Sequence, residues 1–357
     1  MRARADHRHS TGTLRGILSA SALVAAATEL ASAFDRGGRL LATGEGRALA
    51  DAKHVAVEFL HPVIVGKRAL PAAVGADKSS ADDILLGIAY GGSRLEAPVD
   101  IALSDRSAPD ARHEITLPTE NSSAKEAALL SYHVLWELVH VFLEDEATTH
   151  AGSDSLDALY PMLSSRSRSP AESNRSTYAA LASTQEKLTT SAALRAASLA
   201  ANEEAITVAS QLFADARTVF TFGNGGSATD ASDLAWALGA KGWALSDDVA
   251  TVTALANDVS FEVVFARQLA TLARPGDVVV ALSTSGTSAN VTAALAQAQR
   301  LGLGTVGLCG YDGGDMAAAG LDACCVVDST SVHRIQESYV AIYDEMLRRS
   351  MAATATA

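Results

Sequence analysis

Residues 218–238 read TVFTFGNGGSATDASDLAWAL, and no other stretch restricts the fold so tightly. A β-rich run over 218–222 meets the turn Gly223-Asn224-Gly225-Gly226-Ser227, and an Ala-rich helical pattern begins at once. Glycine lets a chain reverse sharply and brings backbone N–H groups close to a ligand. The N-terminus of the helix that follows favours an anion. The stretch therefore predicts a phosphate or phosphosugar cradle at the carboxyl end of a strand. Taken alone, the same turn also serves as an ordinary strand-to-helix junction.

A second stretch repeats the logic with hydroxyls. The apolar run over 278–282 empties into Ser283, Thr284, Ser285, Thr287 and Ser288. Such a cluster of small donors suits the oxygens of one phosphate. Strand and helix patterns alternate here, which predicts an α/β fold with a parallel sheet, helices on both faces and ligands at the strands' carboxyl ends.

The chain also contains a repeat. Residues 30–59 lie without gaps on the central stretch at an offset of 179, so that Phe34 meets Phe213, Gly44 meets Gly223, Gly46 meets Gly225 and Asp51 meets Asp230. The apolar helical segment KEAALLSYHVLWELVHVFL, from Lys125, lies on the segment from Gln336 at an offset of 211. The second copy thus carries 32 more residues between these landmarks. In the first copy a strand pattern over 84–89 ends in Tyr90-Gly91-Gly92-Ser93, and no counterpart to the helix over 289–301 follows.

At 357 residues the length suits about two domains, each able to bury a core. Four segments are expected: a pared-down first domain over 1–145, a Ser-rich flexible linker over 146–177, a second domain over 178–350 and a disordered tail over 351–357. The basic, Ala-rich start reads as the first helix of a domain, although its small-residue LASA mimics a signal peptide. The run over 61–72 reads as the second strand and its approach, with Lys67 and Arg68 either solvated or reaching a phosphate. A net charge of −13 argues against nucleic acid or an anionic membrane as partner. Three cysteines, Cys309, Cys324 and Cys325, make neither a disulfide framework nor a CxxC pattern, which suits a reducing cytoplasm.

GNGGS, STSGTS, GYDGG and RIQE together resemble the sugar isomerase (SIS) fold, and more narrowly the D-sedoheptulose 7-phosphate isomerase (phosphoheptose isomerase) family. The resemblance runs over residues 178–346, about half the chain. It implies two flavodoxin-like, Rossmann-like three-layer domains paired as an internal pseudo-dimer, and a homodimer of the chain with four SIS domains. It also implies a phosphorylated sugar as partner and ketose–aldose isomerisation through an enediol.

Family members use a Glu and a His from the helix after the glycine turn, with a Gln and a His from the last helix, and some bind zinc with this quartet. In the second copy the resemblance finds Asp233, Ala237 and Asp344 at three of these positions, and only Gln336 matches. The first copy supplies His54, Glu58 and His133, with Lys125 in place of the Gln. The resemblance therefore implies a composite site: Glu58 as base, His133 or His54 as acid, and Asn224, Gly225, Ser227, Ser283, Thr284, Ser285 and Ser288 on phosphate and hydroxyls. Asp258 and Gln336 would orient the sugar, and zinc would sit on His54, Glu58, His133 and Gln336. The residues themselves leave other readings open. His54 and Glu58 also suit a solvated helix pair, His133 a satisfied core histidine, Ser283–Ser288 a helix cap and Gln336 a structural hydrogen-bonder. A phosphosugar-binding sensor or scaffold without catalysis is the rival function.

Overall fold

A computed structural model describes residues 18–62, 67–95, 98–144 and 170–354. The readings for the N-terminal 17 residues and for most of the Ser-rich stretch fall outside these. Two compact units, Met1–Ala193 and Leu194–Ala357, divide the chain.

The first unit runs α1 (Ala20–Asp35), β1 (Leu40–Gly44), α2 (Arg47–Leu60), β2 (Ala72–Val74), β3 (Ile84–Ala89), β4 (Ile101–Ser104), β5 (His113–Thr116) and α3 (Asn121–Glu144). A long helix, α4 (Pro170–Ala201), follows. The second unit then continues with α5 (Glu203–Asp215), β6 (Val219–Gly223), α6 (Gly226–Ala237), β7 (Gly242–Ala244), α7 (Val249–Asp258), α8 (Val264–Leu272) and β8 (Val278–Ser283). It closes with α9 (Ala289–Arg300), β9 (Gly304–Gly310), α10 (Gly314–Ala318), β10 (Ala323–Val327) and α11 (Val332–Thr354).

Every strand pair is parallel. The sheets have the orders β2-β1-β3-β4-β5 and, read from its other edge, β7-β6-β8-β9-β10. These are the same flavodoxin-like order, 2-1-3-4-5, whose ligands gather at the carboxyl ends of the strands. The central strands β3, β6 and β8 are buried along their whole length, which is why they read as continuous apolar runs and not as alternating ones.

Strand register shows where the first unit is shorter. Leu40 and Val219 occupy the same place, at the offset of 179, whereas Ile84 and Val278 correspond at 194 and Ile101 and Val306 at 205. The losses fall where the second unit carries α7 with α8, and then α9. In the second unit α8 and α9 cover one face of the sheet over Phe222, Val279 and Ala281. In the first unit Leu41 and Leu85, the counterparts of Phe220 and Val279, pack with Val99 and Ala102 against irregular chain bearing Leu95, Ala108 and Ala111. Its third layer is therefore not helical among the described residues.

Helix α3 is buried nearly all round, as expected of an apolar helix in a core. Its span Ser122–Leu143 is long and apolar enough to cross a membrane, yet it lies mostly buried inside the protein. Helix α1 starts where Ser19 accepts from the amide of Ala22, an N-cap.

Three boundaries differ from the sequence reading. Residues 170–177, assigned to the linker, are helical, and Pro170 suits the first helical position because it lacks only an N–H the helix leaves unused. Residues 351–354, expected in a disordered tail, continue α11. Alanine propagates a helix already nucleated by a packed segment. In the run over 61–72, only Ala72 is strand; residues 63–66 lie outside the described residues.

Candidate functional site

In the second unit β6 delivers the glycine turn to α6. A Cβ on Gly223 would stand 2.7 Å from the Ser227 carbonyl oxygen and 2.8 Å from that of Leu282, so only glycine lets β6, β8 and the first turn of α6 approach this closely. Gly225 has φ +52°, the left-handed region glycine favours. The amides of Gly226 and Ser227 belong to the first turn of α6, where a helix offers N–H groups to an anion. Asn224 reaches across to Asn290 on α9, and the two amides exchange hydrogen bonds of 2.9 and 2.8 Å.

The hydroxyl loop after β8 is similarly built. Ser288 occupies the N-cap position of α9, yet its hydroxyl makes no capping bond and lies 3.1 Å from that of Ser283. Ser285 Oγ accepts from the amide and hydroxyl of Thr287. Thr284 offers its carbonyl to the amide of Gly310 at 3.0 Å. Gly286 has φ +68°, and a Cβ there would lie 2.1 Å from the Gly313 carbonyl oxygen. Its carbonyl accepts from the amide of Met316. The sequence GYDGG therefore has a structural task that its residues did not disclose: two glycines bring the turn after β9 flat against the hydroxyl loop. Tyr311 itself holds φ +52°, a strained value for a side-chain-bearing residue. Ser285, Tyr311, Asp312, Asp328, Ser329 and Thr330 border an open cavity of about 740 Å³ beside this turn.

The other second-unit candidates are placed as follows. Gln336 is buried on α11. Asp258 ends α7, is exposed, and accepts from the side chain of Asn257 at 2.7 Å. Asp233, at the position of the family's His, is fully buried and accepts from the Tyr343 hydroxyl at 2.6 Å. Arg195 is buried near Glu337 and Asp344; burial lowers its pKa to about 10 against the opposing pull of these carboxylates.

The acid–base groups of the first unit lie deep in it. Asp51, His54 and Glu58, on one face of α2, are at most 2% exposed, which overturns the solvated-pair reading. His54 Nε2 and Glu58 Oε1 stand 3.6 Å apart. The His133 ring from α3 meets the His54 ring nearly edge-on, centroids 5.3 Å apart, and Tyr132 lies 5.3 Å from His54. Asp51 accepts from three donors: Lys125 Nζ at 2.6 Å, Tyr90 at 2.5 Å and Tyr132 at 3.0 Å. Trp136 donates to the Glu58 carbonyl oxygen at 2.7 Å and pins the C-terminal turn of α2. Two contributors were overlooked in the sequence, Tyr90 and Tyr132. Tyr132 falls on Tyr343 at the offset of 211, so the repeat itself held that signal.

The zinc expectation does not fit this arrangement. Among the described residues no three His, Cys, Asp or Glu side chains are gathered closely enough to hold a metal ion. At the family's Gln position stands Lys125, whose cation is directed at Asp51.

Comparison with known proteins identifies the family. Residues 186–310 match the SIS domain family, a span containing both loops. The phosphoheptose isomerase of Rhodospirillum rubrum is 42% identical over 144 residues, 38% of this chain and 76% of that protein. That of Geotalea daltonii is 43% identical over 145 residues, 37% of this chain and 75% of its own. The C-terminal domain of glucosamine-fructose-6-phosphate aminotransferase from Francisella tularensis shares the fold over 97% of this chain and 96% of its own, at TM-score 0.59 and 11% identity. Both units therefore have a SIS-type α/β fold. The chain belongs to the SIS-domain family, in its phosphoheptose isomerase branch.

Proposed function

We propose that the chain is a phosphosugar ketose–aldose isomerase, with sedoheptulose 7-phosphate as substrate. The observation that carries the reading is the buried His54–Glu58 pair beside His133. In the second unit the corresponding helix position is Asp233, held by Tyr343, and Ala237 replaces the Glu. The inventory is thus divided: proton-transfer groups in the first unit, anion-holding loops in the second.

In the reaction Glu58 takes the proton from C1 of the ketose, giving a 1,2-enediol, and returns it to C2. His54 or His133 moves the second proton from the O1 hydroxyl to O2, so that the aldose carbonyl forms at C1. General acid–base catalysis of this kind requires groups held in position and shielded from bulk water. Asn224, Gly225, Ser227, Ser283, Thr284, Ser285 and Ser288 hold phosphate and hydroxyls, and Gln336 and Asp258 orient the chain of the sugar. A homodimer of this two-unit chain belongs to the same proposal, read by light scattering.

The test is incubation of the purified chain with sedoheptulose 7-phosphate, following the aldose by NMR. Turnover that disappears in Glu58→Gln, with phosphosugar binding retained, supports the reading. Turnover unchanged in Glu58→Gln removes Glu58 as base. The rival, a phosphosugar-binding protein without catalysis, is favoured by one observation: Lys125 takes up Asp51 where the family's Gln would stand. It predicts a thermal shift with the phosphosugar and no product.

A further inference from the structure

Cys309 on β9 and Cys324 on β10 bring their sulfur atoms within 3.6 Å. The strands are adjacent and parallel, with Cys309 opposite Val326. Cys324, two residues before Val326, therefore projects to the same face as Cys309, while Cys325 projects to the other. Cys309 is fully buried and Cys324 is half-buried, so Cys324 is the more accessible residue of the pair.

We propose that Cys309 and Cys324 are an oxidative modification site for hydrogen peroxide, closing to an intramolecular disulfide between β9 and β10. The Cys324 thiolate attacks the peroxide, the O–O bond breaks, and a sulfenic acid forms on Cys324 as hydroxide leaves and is protonated to water. The Cys309 sulfur then displaces hydroxide from Cys324, losing its own proton; the S–O bond breaks, the S–S bond forms, and a second water departs. Two electrons pass from the two thiols to the peroxide. The Cys309 S–H holds the Cys324 thiol below its ordinary range, which suits Cys324 for the attack; that same hydrogen bond, with burial, holds Cys309 far above it until Cys324 is oxidised, and burial pushes Cys325 up to about 12.

The pair is also joined to the hydroxyl loop. Cys309 directly precedes Gly310, whose amide donates to Thr284. A Cβ on Gly313 would lie 3.6 Å from the Cys309 sulfur, so this thiol packs beneath the turn that braces Gly286. Closing the contact to a bond of about 2.05 Å moves Cys309 under that turn. Oxidation is therefore expected to weaken phosphosugar binding, a consequence that rests on the function proposed above.

The experiment treats the full chain with hydrogen peroxide, then alkylates the remaining thiols and maps peptides by mass. The expected result is loss of two of the three alkylatable thiols, a peptide linked through Cys309 and Cys324, and recovery with dithiothreitol. In Cys309→Ser, oxidation stops at the Cys324 sulfenic acid, which dimedone traps. Three thiols still alkylatable, or a linkage joining Cys324 to Cys325 or to a second chain, overturns the proposal. Calorimetry with sedoheptulose 7-phosphate before and after oxidation reads the coupling. A several-fold loss supports it, and unchanged affinity refutes the coupling while leaving the modification site. Absence of binding in the reduced protein refutes the function, and the thiol map still decides the disulfide.

Discussion

Asn224 and Asn290 lock the glycine turn after β6 to the first turn of α9 through a reciprocal pair of amide hydrogen bonds, 2.9 and 2.8 Å. Each amide donates once and accepts once, so neither side chain can be replaced without stranding the other. Asn290 is 3% exposed, and water cannot readily substitute for it. Asn290→Ala is expected to cost about 1–3 kcal/mol, the penalty for a buried polar group that loses its partner. Urea unfolding reads the stability. Calorimetry should show weaker phosphosugar binding as well, because Asn224 belongs to the glycine turn.

Gly286 separates conformational from steric cost. It has φ +68°, and an added Cβ would meet the Gly313 carbonyl oxygen at 2.1 Å; Gly302 has a similar φ, +66°, with open space around it. Gly302→Ala therefore carries only the left-handed penalty of about 1–2 kcal/mol. Gly286→Ala must also push two backbone segments apart, and roughly 3–5 kcal/mol is expected. Denaturant midpoints of the two variants should differ accordingly, and equal midpoints would show that the turn after β9 yields easily.

How much of this was legible in the sequence depends on how local each constraint is. Gly223 and Gly225 report the geometry of their own turn, and the junctions of β6 with α6 and of β8 with α9 fall where the sequence predicts them. The repeat located α2 and α3 and the missing helix after β3. The burial of His54 and Glu58 was not legible, because α2 shows only that Asp51, His54 and Glu58 share a face. Whether that face meets water or α3 is decided by Lys125, Tyr132 and His133, about seventy or more residues later. The bracing of Gly286 by Gly313 was hidden for the same reason, since it is a contact between backbones. The end of α11 was misjudged because composition was read without the packed helix that precedes it.

Asp51 and Lys125 form a buried ion pair, 0% and 1% exposed, and the carboxylate also holds Tyr90 and Tyr132. The two halves are not equally dispensable. Lys125→Met leaves Asp51 with two phenol donors, and about 1–3 kcal/mol is expected. Asp51→Leu strands an ammonium ion in a closed core, and about 3–5 kcal/mol is expected. The double variant should lose much less stability than the sum of the single losses, which a double-mutant cycle in urea measures directly. If the two single variants are equally stable, the phenols and not the ion pair organise the cluster.

Asp83 gives the acid side of the stability curve. Its side chain is buried, accepts from the Arg39 guanidinium and from the amides of Arg39, Ser79 and Ser80, and is held well below the usual carboxylate range chiefly by Arg39. A carboxylate with a depressed folded-state pKa contributes stability above its unfolded value, near 3.9, and loses it as pH falls towards the folded value. Asp83→Asn should therefore cost most at pH 7 and progressively less below about pH 4. Urea unfolding of both proteins at pH 7, 4 and 3 follows the convergence. A difference that stays constant over that range would mean that Asp83 contributes only its shape and not its charge.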